Sequence, residues 1–355
     1  EWQTYLSYAG GQTVAEGADR YYAATNHGLY AFNTKANNLV TYTPQQGFSG
    51  IDITAMRYHE ATSQLFIAYE TGLIDVVKDG TNIRTLTAIA DKNIVGAKKV
   101  LAFTFSNGTA YIATTFGLVT YDLGNQTFGS TFFGPLAPQW RTSGFARLND
   151  TLFAATEQGL LKAPAQGVNL QDVNAWKLER ANTLGAVTSY QDKLYFQADS
   201  QLLVRRAGRW RPLGINIDGE VDLNKDQGQL LISRSRNRAL AIGPDGTLDS
   251  LDANKANRVF LDEKGNLWYG KGFFPLLKRE EQGDLQFFLT DGPGGSDAWS
   301  VSVQDQTLYV TAGGYGDNFS ATFNPTGFYK RNPDGSWRNY NRLNSDSLAR
   351  LDIRD

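Results

Sequence analysis

The apolar positions of this chain fall in short alternating runs that come in pairs around a turn. "YIATTFGLVTYD" (111–122) shows the pattern clearly. Tyr111 to Thr114 alternates, Phe116-Gly117 punctuates, and Leu118 to Asp122 alternates again. A period of two bounded by glycine predicts a β-hairpin. Near-copies recur: "YYAATNHGLYAF", "LFIAYETGLIDVV", "LFAATEQGLLKAP", "LYFQADSQLLVRR", "LLISRSRNRALAI", "LWYGKGFFPLLKR" and "LYVTAGG…TGFYKR". Aligned on the first large residue of the leading strand, the units are anchored at Tyr22, Phe66, Tyr111, Phe153, Tyr195, Leu231, Trp268 and Tyr309. The spacings between them are 44, 45, 42, 42, 36, 37 and 41. Helical apolar spacing is absent, so a repeat of this length made of strands predicts propeller blades.

An apolar strand precedes each hairpin, as in "ITAMRY" (53–58), and a more polar one follows, as in "NLVTYT" (38–43). Four strands per unit, with the innermost lining a channel, make a blade. The fold class is therefore all-β, a β-propeller of four-stranded antiparallel blades. Eight hairpin units are counted. Seven blades are expected, with an eight-bladed ring as the alternative. The propeller is assigned to 1–345, and 346–355 to the start of a linker or following domain. The opening "WQTYLSY" (2–8) reads as an outer strand that closes the ring against the last blade.

Turn chemistry follows the repeat. Gly28, Gly72, Gly117 and Gly159 each fall six residues after an anchor, where a positive φ is expected. Gln201, Asn237 and Phe274 replace that glycine in units five to seven, so those turns must be built differently. Gly327 supplies it in unit eight, after an insertion. The aromatic anchors, Trp268 and Trp337 included, read as packing between blades.

Composition narrows the function. A chain of 355 residues buries a substantial core without staples. With no cysteine, disulfides, thiolate zinc sites and thiol nucleophiles are excluded, and an extracytoplasmic location fits. The net charge of -2, with "SRSRNR" (233–238) as the one basic knot, gives no nucleic-acid footprint. No apolar run is long enough for a membrane span. His27 and His59 are the two histidines, and neither a GxSxG motif nor a His metal cluster is present. The Asp and Glu residues sit mostly in turns, and the Gly-rich "DGPGG" (291–295) and "GGYGDN" (313–318) lack the Lys-Ser/Thr of a phosphate loop. No catalytic residue, metal or cofactor is therefore assigned.

Function is sought in the long loops. Loops joining blades share one face with the turns between second and third strands. On that face fall "TTFG", "KGFFP", "GPLAPQWRTS" (134–143) and the insertion 312–327. Trp140, Arg141, Phe116, Phe273, Tyr315 and Asp317 are the ligand-binding candidates. Aromatic faces beside an arginine suit an anionic sugar or a protein segment.

The segments "YLSY…VAEGADRYYAATNHGLYAFN", "ITAMRYHEATSQLFIAYETGLIDVV" and "AYIATTFGLVTYDL" resemble the N-terminal propeller of the PorZ family, components of the Bacteroidetes type IX secretion system. More loosely they resemble the sensor propellers of hybrid two-component regulators. The closer resemblance implies a cell-surface protein with two seven-bladed propellers and a small C-terminal domain. It also implies two partners, a sortase-like secretion component and anionic lipopolysaccharide, with a role in glycan binding and presentation rather than cleavage. It implies an outer-membrane or periplasmic location and carries over no site residue. The expected function is thus a non-enzymatic secretion and attachment component. A ligand-sensing receptor propeller is the alternative, and a polysaccharide-active enzyme the third reading.

Overall fold

A computed structural model of the protein describes residues 4–132, 140–181, 185–280, 283–315, 318–320, 327–341 and 344–345. Eight four-stranded antiparallel sheets follow one another along the chain, each built from four consecutive strands. The sequence period is thus a structural period. In blade 3, Thr109–Thr114 pairs with Gly117–Asp122 in unbroken register, Thr114 opposite Gly117. The Thr114 hydroxyl donates to the Gly117 carbonyl at 2.8 Å and accepts from the Phe116 N–H at 3.2 Å, which satisfies the buried end of the turn. Thr25 and Thr156 repeat the first of these bonds to Gly28 and Gly159. A T-x-x-G corner therefore recurs in blades 1, 3 and 4.

Gly72, Gly117 and Gly159 take the expected positive φ, and Gly327 takes it in the eighth sheet. Gly28 does not. A Cβ there would come within 2.9 Å of the Tyr8 ring, so close approach is what requires glycine at that position. Blade 5 turns on Asp199 (φ 52°) and blade 7 on Gly272 (φ 48°), which is how those hairpins manage without glycine at the repeat position.

Seven sheets close a ring. Their first strands are Gly11–Glu16, Ile53–His59, Val100–Ser106, Thr142–Leu148, Val187–Tyr190, Val221–Asp226 and Arg258–Leu261. Each lies against the next, and the seventh lies against the first. Among the described residues, no strand is shared across the seam between blades 7 and 1. The seam is held by the Gly11 N–H donating to the Gly272 carbonyl at 2.8 Å, and by Asn257 Nδ2 donating to the Gly11 carbonyl at 2.8 Å. An aromatic cluster adds to this. Trp268 packs on Tyr21 at 4.5 Å, Phe288 at 4.8 Å and Phe32 at 5.8 Å between ring centroids. The Tyr30 hydroxyl donates to the Phe288 carbonyl at 2.7 Å.

The eighth sheet, whose strands run from Ser300–Gln304 to Trp337–Tyr340, stands outside this succession. Its first strand is exposed along its whole length, with Val301 61% and Val303 71% exposed. The opening segment was expected to close the ring. Residues 1–3 lie outside the described residues, and 4–9 form no strand. Instead, the Tyr5 ring meets Trp337 edge-on at 5.5 Å beneath the Arg331 guanidinium, and Tyr8 packs edge-on against Tyr30. The segment therefore ties the eighth sheet to blade 1.

Candidate functional site

Polar side chains inside an apolar repeat mark the centre of the ring. The first strands enclose a cavity of about 590 Å³ to which all seven blades contribute. On one side of it lie Arg57 of blade 2, Asp222 and Asn224 of blade 6, and Arg258 of blade 7. Arg57 reaches across the channel to the non-adjacent blade 6, where Nη1 donates to Asn224 Oδ1 at 3.0 Å and Nη2 lies 3.6 Å from Asp222 Oδ1. Arg258 takes the same two acceptors, Asn224 Oδ1 at 2.8 Å and Asp222 Oδ1 at 3.4 Å. Withdrawal from water raises the Asp222 carboxyl above its ordinary range, against the pull of Arg57. Lys225 is lowered, first by desolvation and then by Arg57.

The end of the channel on the side of the short first turns is acidic. Glu16 closes its strand there with its carboxyl pushed up to about 8, chiefly by burial and then by Asp226 and Glu60. Asp226 is also raised by burial, although its Oδ2 accepts the Leu261 N–H at 2.6 Å. His59 packs at a tilt on Phe105 at 4.6 Å and its Nδ1 bonds the Thr62 hydroxyl at 2.8 Å; burial lowers its pKa. His27, in the turn between the second and third strands of blade 1, meets the Ser296 hydroxyl at 2.9 Å. Among the described residues, no group of three His, Cys, Asp or Glu side chains is disposed to hold a metal ion.

The residues singled out from sequence are dispersed. Trp140 is 2% exposed, packed at 5.9 Å on Trp176 in the core between blades 3 and 4. Phe116 is equally buried, but in the core between blades 2 and 3. Both rings are spent on packing. Arg141 is exposed at the entry to blade 4. Phe273 is 83% exposed at the tip of the blade 7 hairpin. Tyr315 is exposed and meets Trp299 edge-on at 5.8 Å beside the eighth sheet. Asp317 lies outside the described residues, as do half of the insertion and 346–355. The channel residues escaped the sequence reading. The signal was present as charge within first strands, "AMRY", "VDLNKD" and "NRVF", where the other units place small or apolar residues.

No curated protein sequence matches the chain. One family description, "TSS9, PorZ, N-terminal beta-propeller domain", covers the stretch from blade 1 into blade 4. Residues 21–177 match the PorZ N-terminal β-propeller family. The resemblance carried by the first three hairpins is borne out over those residues. PorZ of Porphyromonas gingivalis, described as an essential bacterial surface component of the type-IX secretion system, superposes with TM-score 0.81 at 20% identity. The match covers 98% of this chain and 47% of that one. The extracellular domain of the hybrid two-component system BT3049 from B. thetaiotaomicron gives TM-score 0.60 at 14% identity, over 96% of this chain and 52% of its own. A chain of the mitotic checkpoint complex gives 0.54 at 14% identity over 78% of this chain and 90% of its own, a likeness of fold alone. The chain spans about half the length of PorZ and of the regulator domain.

Proposed function

We propose that this chain is a non-enzymatic propeller of a type IX secretion and surface-attachment complex, acting outside the cytoplasm. Its work is to hold anionic lipopolysaccharide or the sortase-like partner. The observation that carries this reading is the superposition on PorZ over 98% of the chain, eighth sheet included, at TM-score 0.81 against 0.60 for the regulator propeller. The eighth sheet supports it further. Its exposed Val301 and Val303 present the face that a neighbouring blade covers inside the ring. It is thus the opening blade of a second propeller. On this reading the first propeller ends near residue 288, and the 1–345 span read from the repeat holds one propeller and the start of the next.

The contact surface is the face bearing the inter-blade loops. Arg141 and Phe273 are its exposed representatives, one a permanent cation and the other a flat apolar ring. Trp140 and Phe116 act there only by supporting the loops. The test is a titration of anionic lipopolysaccharide and, separately, of the sortase partner against parent protein and an Arg141→Ala/Phe273→Ala double variant. Saturable binding to either ligand, weakened by about 1–3 kcal/mol in the variant, supports the reading. Absence of binding to both rejects it. Hydrolysis of the polysaccharide, abolished by one Asp or Glu substitution, would instead make the protein an enzyme.

A further inference from the structure

The cavity within the ring is uneven in charge and in bulk, and the surface role uses neither property. Two guanidiniums converge on one carboxylate. Arg57 and Arg258 share Asp222 Oδ1 and Asn224 Oδ1, so the cluster carries one positive charge in excess. The Arg258 side chain is 8% exposed. Among the described residues its Nε has no partner, nor does the second oxygen of Asp222, and both atoms are shut off from solvent. A tie across the ring would need only one arginine. Glu16, Glu60 and Asp226, with Lys225 among them, line the other end of the cavity, outside this cluster.

Bulk is distributed in the opposite sense. At the level of Asp222 and Arg258 in the strand register, blades 3, 4 and 5 contribute Ala102, Gly144 and Ala186. All three line the cavity. The open volume therefore lies between the charged side chains and a wall of the smallest residues, and falls within the range of small-molecule sites.

We propose that the channel binds a small polyhydroxylated anion, a carboxylate or phosphate of monosaccharide size, held by Arg57 and Arg258 against the small-residue wall of blades 3 to 5. A guanidinium presents its N–H donors as a planar fork that matches a carboxylate or phosphate edge, and it stays charged when withdrawn from water. Asn224 takes one donor of each arginine and Asp222 a second from Arg258, leaving others free for the ligand. The Asp222 side chain, 27% exposed, is an acceptor for a ligand hydroxyl, which favours a sugar acid or sugar phosphate over a bare ion. This site lies among first-strand residues inside the ring and does not depend on the secretion role.

The experiment is isothermal titration of the intact protein with inorganic phosphate, glucuronate and glucose 6-phosphate, with glucose as the neutral control. Parent protein is compared with Arg57→Gln and Ala186→Leu. The first removes one fork. The second keeps every charge and fills the open side. The expected result is one-site saturation by at least one sugar anion, silence with glucose, and roughly tenfold weaker binding or worse in each variant. Glucuronate alone would assign the carboxylate, and glucose 6-phosphate alone the phosphate. If Arg57→Gln loses its near-UV circular dichroism, Ala186→Leu decides. No saturation in the parent, saturation by inorganic phosphate alone, or equal affinity in a folded variant would overturn the proposal.

Discussion

Replacing Trp268 by alanine tests how a ring without a shared closing strand stays shut. Trp268 is 2% exposed at the seam between blades 7 and 1. Its ring contacts Tyr21 and Phe32 of blade 1 and stacks over Phe260 of its own blade at 6.3 Å. Its Nε1–H donates to Asp262 Oδ2 at 2.9 Å. Truncating a buried Trp costs about 3–5 kcal/mol through lost transfer energy and the cavity left behind. Asp262 keeps its bonds from the Lys264 and Asn266 N–H groups and from Asn266 Nδ2, so the lost indole bond adds only about 1 kcal/mol. The total, about 4–6 kcal/mol, is a large fraction of the roughly 5–15 kcal/mol that separates a folded domain from its unfolded chain. Urea titration followed by circular dichroism measures it. Trp268→Phe keeps most of the packing and loses the hydrogen bond, so it should cost about 1–2 kcal/mol. A Trp268→Ala midpoint within about 1 kcal/mol of the parent would refute the seam argument, because mutations at a well-packed core site cost more than that.

Gly117→Val should destabilise by about 1–3 kcal/mol or more, read as a shift in urea midpoint. Its φ is +146°, and an added Cβ would lie 2.5 Å from the Phe132 carbonyl oxygen. Trp140→Ala should cost about 3–5 kcal/mol in the same assay, because the ring is core rather than ligand surface. Glu16→Gln should raise the melting temperature at pH 9 and leave it nearly unchanged at pH 5. A carboxyl raised to about 8 in the folded state binds its proton more tightly there than in the unfolded chain. Stability is therefore lost as pH rises from the ordinary carboxyl range through 8, and the amide removes that loss.

The blades were legible because period-two alternation and corner glycines are local signals, set by pleat geometry and φ at each hairpin. Closure was not. Units one to seven and unit eight carry the same hairpin pattern, and what separates them is whether another sheet covers the first strand. Val301 and Val303 read like any inner-strand valines until their exposure is seen. The aromatic candidates divided for a related reason. Trp140 and Phe273 are both loop aromatics in sequence, yet one folds back between blades and the other projects from a hairpin tip. The Arg57–Asp222–Arg258 cluster joins residues from three blades, and no spacing along the chain brings them together.

The proposed role is secretion and surface attachment by binding. Deleting the coding sequence in its host and following type IX cargo by surface labelling and mass spectrometry tests it most directly. If the proposed role holds, cargo retains its C-terminal signal and fails to reach the surface in attached form, with recovery on complementation. Cargo processed and attached as in the parent strain would contradict it.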